Sequence, residues 1–306
     1  MINISLRQLR YFEALAQHAH FGRAADACSI SQPALSVQIK ELEETLGVGL
    51  FERSARQVRL TSFGEEFALR VREILRAMDE LGDLARASKD RLVGQFRIGV
   101  IPTIAPYLLP RIVTDLAAYN PKLEIRMRET ITPRLIQELK EGKLDTAIVA
   151  LPISEPFLAE TPLFEEEFIL VRPGSDAHKP TPSAESLREM RLLLLEEGHC
   201  FRDQALSFCQ LGASAPRELM DGSSLSTLVQ MVSAGIGVTL IPEMAVSIET
   251  RAANVAVSRF AEPRPSRTIG MVWSKTNPLA KQLGQIAEVV RRSAHGAKAA
   301  SAQDPA

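Results

Sequence analysis

Residues 198–204 read Gly-His-Cys-Phe-Arg-Asp-Gln and place a thiol, Cys200, between two side chains able to carry positive charge, His199 and Arg202. A second thiol, Cys209, follows nine residues later. A thiolate is stabilised beside a cation or at a helix N-terminus, and the thiolate is the nucleophilic form. A neighbouring cysteine can trap an oxidised sulfur as a disulfide before it is oxidised further. The pattern points to redox sensing. Two cysteines serving as small buried apolar side chains are the alternative that the residues leave open. Spacing adds a constraint: across one regular helix, residues nine apart lie about 13–14 Å from each other along the axis and face opposite ways. A disulfide needs Cα atoms within roughly 7 Å. Bond formation would therefore unwind the segment, and oxidation state would become shape.

Other chemistries fit poorly. Three cysteines and five scattered histidines give no Cys-x-x-Cys and no second ligand pair, so neither a metal nor another cofactor is expected. The chain of 306 residues is 45% hydrophobic with net charge −1, which suits two or more compact units and excludes a strongly basic domain. It has no apolar run of membrane-spanning length and no signal-peptide pattern, so a cytoplasmic protein is expected, where a standing structural disulfide is uncommon. Residues 1–60 hold seven Lys/Arg against six Asp/Glu, so any DNA contact must come from local placement of charge.

The elements that would position the thiols begin with short helices. Leu6, Leu9, Phe12 and Leu15 recur at helical spacing, and Phe21–Ala27 form a second segment. Ser31 is placed as an N-cap, Pro33 suits a first turn, and Leu35, Ile39, Leu42 and Leu46 make a buried stripe that ends at Gly47. Two short helices around a tight turn are a helix-turn-helix pattern. The second would offer Gln32, Pro33, Ser36, Val37 and Lys40 to base edges and phosphates. Residues 51–61 alternate around a turn and carry Arg53, Arg56 and Arg59, a β-wing that would grip phosphates. On periodicity alone, a small helical bundle with a solvated hairpin reads equally well.

From Thr61 to about Gly94 one long helix is expected, its seam Phe67, Val71, Ile74, Met78, Leu81 and Ala85 alternating steps of four and three as in a coiled coil. It predicts a homodimer. After Gly94, strands and helices alternate in the manner of α/β domains. Expected strands include 96–101, 123–130, 146–151, 167–172, 191–196, 218–221, 238–241 and 268–273, and the Ala-, Ser- and Lys-rich tail 296–306 is expected to fray.

The residues Phe21…Arg23-Ala24-Ala25…Ser31-Gln32-Pro33-Ala34-Leu35-Ser36…Leu50-Phe51-Glu52-Arg53…Leu60-Thr61…Gly64 resemble, at fixed spacing, the winged helix-turn-helix of LysR-type transcriptional regulators. Cys28 lies in the first helix of this motif and reads as a small buried residue. Further along, Ile101-Pro102-Thr103, Pro106–Pro110, Gly142–Asp145, the Cys200 segment and Arg267–Gly270 are similar to peroxide-sensing members of that family.

The resemblance implies an α/β effector domain, two-lobed and periplasmic-binding-protein-like, preceded by an all-α winged helix-turn-helix and a long coiled-coil linker helix. The boundaries expected are 1–61, 62–93 and 94–306, with lobe I about 94–166 and 268–295 and lobe II about 167–267. It further implies that hydrogen peroxide oxidises Cys200 to a sulfenic acid, that Cys209 resolves it to a disulfide, and that Thr103, Thr132, His199, Arg202 and Asp203 surround the peroxide. Thr103 and Thr132 as plain helix caps remain the other reading. Implied partners are double-stranded promoter DNA, RNA polymerase and further copies of the chain, up to a homotetramer. A regulator responding to an organic metabolite in the inter-lobe cleft is the alternative function. A thiol peroxidase would have no use for a DNA-reading head, so an enzyme is not expected.

Overall fold

The computed structural model describes residues 3–53, 58–88, 92, 94–183, 186–209 and 220–302. The chain divides into two compact units, Met1–Ala85 and Arg86–Ala306.

In the first unit, α1 (Leu6–His18) opens with a reciprocal cap: Ser5 Oγ accepts from Gln8 N while Gln8 Oε1 accepts from Ser5 N. α2 (Phe21–Ala27) leads to α3 (Gln32–Leu46), which starts at Ser31, carries Pro33 in its first turn and stops at Gly47, whose φ of +70° is the left-handed C-cap geometry. Phe12, Leu15, Ala24, Leu35, Ile39 and Leu42 form one buried core. The unit is not wholly helical. β1 (Phe51–Arg53) pairs antiparallel with β2 (Val58–Leu60), the expected wing. Gly64 allows the close approach that seats this wing, because a Cβ there would lie 2.2 Å from Leu50 O.

α4 (Ser62–Ala87) corrects the linker reading in one respect. Its first half is not free for a coiled coil: Phe67, Ala68, Val71 and Leu75 pack into the unit's own core. Beyond that point Ile74, Met78, Leu81 and Leu84 stand exposed. Cys28 is also corrected. It is the half-buried C-cap of α2 rather than a core residue, and burial pushes its thiol up from the ordinary value.

The second unit contains β3 (Gly94–Val100), α5 (Ala105–Tyr119), β4 (Leu123–Glu129), α6 (Thr132–Lys140), β5 (Thr146–Leu151) and the long β6 (Leu158–Pro173). Next come β7 (Leu192–Leu195), α7 (Cys200–Phe208), β8 (Met220–Gly222), α8 (Leu225–Ser233), β9 (Val238–Pro242), α9 (Val246–Glu249), β10 (Val255–Ser258), β11 (Ser266–Ser274) and α10 (Ala280–Ala302). The strands run β4-β3-β5-β11-β6-β9-β7-β8, with β10 also on β6. β3 pairs parallel with β4 and β5, and β7 pairs parallel with β8 and β9.

Two apolar cores flank this sheet. One gathers Phe96, Ile98, Leu108, Ile148, Val272 and Leu283; the other gathers Phe168, Leu193, Phe201, Cys209, Val229 and Leu240. β6 carries the chain from the first to the second, pairing with β11 over Leu158–Glu167 and with β9 from Phe168. The sequence reading expected strand only over 167–172, whereas β6 begins at Leu158 and runs through Pro162, a residue usually kept to edges or bulges. The structure accommodates Pro162 at a register shift, where Gly270 follows Ile269 across the ladder while Leu163 is skipped. The tail reading also changes: α10 continues to Ala302, as its alanines and lysine allow by intrinsic helix propensity, and residues 303–306 lie outside the described ones.

Candidate redox site and DNA-reading face

Cys200 is the first residue of α7, and the turn before it is set by Gly198, whose φ is +91°. A Cβ there would meet Ile131 Cδ1 at 2.8 Å, so only glycine brings the His199–Cys200 turn this close to the opposite lobe. Cys200 packs against the first core although its helix buries Phe201, Ala205 and Cys209 in the second. The thiol therefore sits at the junction of the lobes. The two cysteines are free and lie at opposite ends of one nine-residue helix and its cap.

Around Cys200 is a narrow recess, too tight in this conformation for a water-sized sphere, lined by Ile101, Pro102, Thr103, Ile131, Thr132, His199 and Phe201. Three helices begin at its rim: α5 at Ala105, α6 at Thr132 and α7 at Cys200. None of their N-caps, Ile104, Ile131 and His199, supplies a side-chain hydrogen bond. The first-turn N–H groups of α5 are already bonded, Ala105 N to Ile101 O and Tyr107 N to Ile104 O, so what the three helix ends share is the positive end of the dipole, which favours negative charge developing in the recess.

Positive charge does not come from the side chains flanking the thiol. Burial holds His199 below its ordinary value despite the opposing pull of Glu196, so its ring is neutral at neutral pH and can accept or relay a proton. Arg202 lines no part of the recess and donates from Nη1 to Leu195 O at 2.8 Å. Asp203 is exposed and also lies outside the lining.

The two threonines differ. Thr132 is buried, and its Oγ1 has no hydrogen-bond partner among the described residues. It is the first helical residue rather than the cap, so capping does not explain it. Thr103 is buried too, but its Oγ1 accepts from Arg267 Nη1 at 2.8 Å. Arg267 also donates from Nη2 to Thr103 O at 3.2 Å and lies 5.1 Å from the centre of the Phe201 ring. Glu166 completes this set. Its Oε2 accepts from Arg267 Nε at 3.0 Å and Nη2 at 2.8 Å, while Oε1 accepts from Met244 N at 3.0 Å. Both charged side chains are fully buried. Sequence reasoning quoted Arg267 within a motif without a role and passed over Glu166. The two are directly opposed on β11 and β6, a pairing set across the Pro162 shift.

Cys209 has a different environment. It is fully buried, and burial pushes its thiol up to about 11, with Arg188 acting weakly the other way. It is a neutral thiol at physiological pH. A second tie between the lobes passes from Tyr107 on α5 to Glu249 on α9, where Tyr107 Oη donates to Oε1 and Ser226 Oγ to Oε2, each at 2.6 Å.

In the first unit, Gln32, Pro33, Val37 and Lys40 are exposed along the start of α3 and Ser36 is half-buried beside them. Lys40 pairs loosely with Glu44 at 3.4 Å, both well exposed. Arg53 ends β1, and Arg56 lies outside the described residues.

Residues 6–65 match the bacterial regulatory helix-turn-helix protein, lysR family, and residues 89–294 match the LysR substrate binding domain. The chain belongs to the LysR family. That family is one of transcription regulators. Among similar proteins, a probable hydrogen peroxide-inducible genes activator of Streptomyces viridosporus is 41% identical, with 94% of each chain covered. The DNA-binding transcriptional dual regulator OxyR of Escherichia coli K12 is 40% identical over 96% of this chain and 97% of its own. A full-length OxyR cysteine-to-aspartate variant from Pseudomonas aeruginosa superposes with a TM-score of 0.73 at 37% identity, covering 94% of this chain and 95% of that one. A hydrogen-peroxide-bound cysteine-to-serine variant of Corynebacterium glutamicum OxyR gives 0.68 at 35% identity, covering 99% and 97%. The LysR architecture accounts for the two-unit division and for the mixed sheet with its two apolar cores. Among the described residues no helix is long and apolar enough to cross a membrane, and no cluster of metal-ligating side chains is present.

Proposed function

We propose that the chain is a promoter-binding transcription activator switched on by hydrogen peroxide, with Cys200 as the reacting thiol and Cys209 as its resolving partner. The observation that carries this reading is the Thr132 hydroxyl: buried, unpartnered and facing the same small recess as Cys200. Buried hydroxyls are nearly always paired. One left open beside a thiol is poised for a small polar ligand. The recess is too tight to take an organic metabolite without movement of its lining, which favours a two-oxygen oxidant over a metabolite.

The chemistry follows from the groups present. The Cys200 thiolate attacks one peroxide oxygen; the O–O bond breaks as the S–O bond forms, giving Cys200–SOH and hydroxide. The hydroxide takes a proton and leaves as water. Neutral His199 and the threonine hydroxyls are the groups able to relay that proton, and the three helix ends favour the charge of the leaving oxygen. The Cys209 sulfur, deprotonated as it attacks, then displaces the sulfenic oxygen as water, leaving a disulfide. α7 must unwind for this, since its cysteines stand about 13–14 Å apart along the axis. Unwinding removes Phe201, Ala205 and Cys209 from the second core, and it disturbs the Arg267–Phe201 contact.

The exposed Ile74, Met78, Leu81 and Leu84 on α4 suit a homodimer, which would present two copies of α3 to promoter DNA. A homotetramer and contact with RNA polymerase extend the same proposal, as do the expected unit boundaries 1–61, 62–93 and 94–306. The test is a footprint on a target promoter, with transcription, for wild type and Cys200→Ser before and after peroxide. The wild-type footprint should shift and transcription rise, whereas the variant should bind with the reduced footprint throughout. A wild-type footprint and transcript level unmoved by peroxide contradict the proposal.

A further inference from the structure

The Glu166–Arg267 pair is buried at the lobe junction yet lines no part of the recess, and a buried ion pair is poor evidence of stabilisation by itself. Its geometry has a directional consequence. A threonine hydroxyl can donate once and accept twice, and it rotates to suit its partners. Arg267 has only donors, so its 2.8 Å bond to Thr103 Oγ1 forces that oxygen to act as acceptor towards the guanidinium. The hydroxyl proton then has to point elsewhere, and Thr103 lines the recess. Arg267 can hold this pose only while its own fork is fixed. Glu166 fixes it with two bonds from one carboxylate oxygen, and Met244 N pins the other oxygen.

We propose that Glu166 is a positioning residue for peroxide reduction: through Arg267 it orients the Thr103 hydroxyl as a donor into the recess beside Cys200. It also neutralises Arg267, so the recess is served by a directed O–H and helix ends rather than by a bare buried cation. Thr132, which has no such partner, keeps a free rotor and can accept as well as donate. One threonine is thus a fixed donor and the other an adaptable one, the pair that HO–OH requires, since each of its oxygens both donates and accepts. The inference rests on the peroxide reading above.

The test compares two second-order rates for Cys200 in a Cys28→Ser, Cys209→Ser background: oxidation by hydrogen peroxide and alkylation by iodoacetamide. Alkylation needs the thiolate and access but no directed hydroxyl donor. In Glu166→Gln, the peroxide rate should fall at least about tenfold, the scale of a lost preorganised donor, while alkylation stays within about threefold. Placed in a Thr103→Val background, Glu166→Gln should slow peroxide no further, because the effect runs through that hydroxyl. Equal peroxide rates in wild type and Glu166→Gln overturn the proposal. Parallel loss of both rates, or additive losses in the double variant, assigns Glu166 a merely structural role and overturns it too. If Glu166→Gln does not fold, Arg267→Lys replaces it: an ammonium keeps the charge but cannot span Glu166 and Thr103, and the same split between rates is expected. The underlying reading fails separately, when the parent protein's Cys200 reacts with peroxide no faster than free cysteine.

Discussion

Replacing Thr132 by valine should make the protein more stable and less able to react, and both effects can be sized from the structure. Thr132 Oγ1 is buried without a partner among the described residues. An unsatisfied buried hydroxyl costs about 1–3 kcal/mol in lost hydration. Valine has nearly the same shape, and its helix propensity is close to that of threonine, so the first turn of α6 is undisturbed. The reduced Thr132→Val protein should therefore gain about 1–2 kcal/mol, raising Tm by roughly 2–8 °C for a unit of this size. Against this, a hydrogen bond to an oxygen gaining charge contributes about 1.5–3 kcal/mol, so oxidation of Cys200 should slow by roughly 10–100-fold. Urea unfolding of reduced protein and stopped-flow oxidation by peroxide read the two effects. Loss of stability on substitution means the hydroxyl is paired in the resting protein. An unchanged oxidation rate means it does not touch the oxidant. Either result refutes the reasoning.

Other expectations follow from the same geometry. Because burial raises the Cys209 thiol to about 11 from an ordinary 9.0, the folded state favours the protonated form; its contribution is intact below about pH 9 and is lost as pH rises through 11. Reduced wild type should thus lose about 2–3 kcal/mol relative to Cys209→Ala between pH 8.5 and 11.5 in urea titrations; parallel curves would contradict this. Gly198→Ala forces a left-handed residue and a 2.8 Å approach to Ile131, so it should cost about 1–3 kcal/mol and slow Cys200 oxidation, and wild-type values of both would count against the tight-turn argument. Gln32→Ala, at the exposed start of α3, should weaken specific DNA binding by about 1–3 kcal/mol in competition assays while leaving non-specific binding unchanged. An equal loss on both kinds of DNA would make Gln32 a backbone contact.

Local signals were well legible in the sequence. Ser31, Pro33 and Gly47 mark the ends of α3 because capping and left-handed geometry depend on residue type alone. The alternating α/β order is of the same kind, whereas periodicity left the winged helix-turn-helix level with a helical bundle and the family resemblance decided between them. What depends on distant packing was not legible. Half of the linker seam turned out to be spoken for by the helix-turn-helix core, since heptad spacing shows an apolar face without showing which surface covers it. The first half of β6 lay outside the expected strand, and its Pro162 is tolerated only at a register shift that the sequence does not display.

At the site, the Cys200 turn was readable, but the cations beside it in sequence are not what faces the thiol. His199 is held neutral by burial, and Arg202 is drawn to Leu195 O. The positive ends of three helix dipoles take their place, and these converge only in three dimensions. Glu166 and Arg267, 101 residues apart, become neighbours through one strand register.

The most direct test of the account is peptide mapping by mass spectrometry of thiol-blocked protein, before and after roughly one equivalent of hydrogen peroxide. The account predicts that a Cys200–Cys209 disulfide appears rapidly while Cys28 stays free. Three unreacted thiols at that dose, or a disulfide joining Cys28 instead, would contradict it.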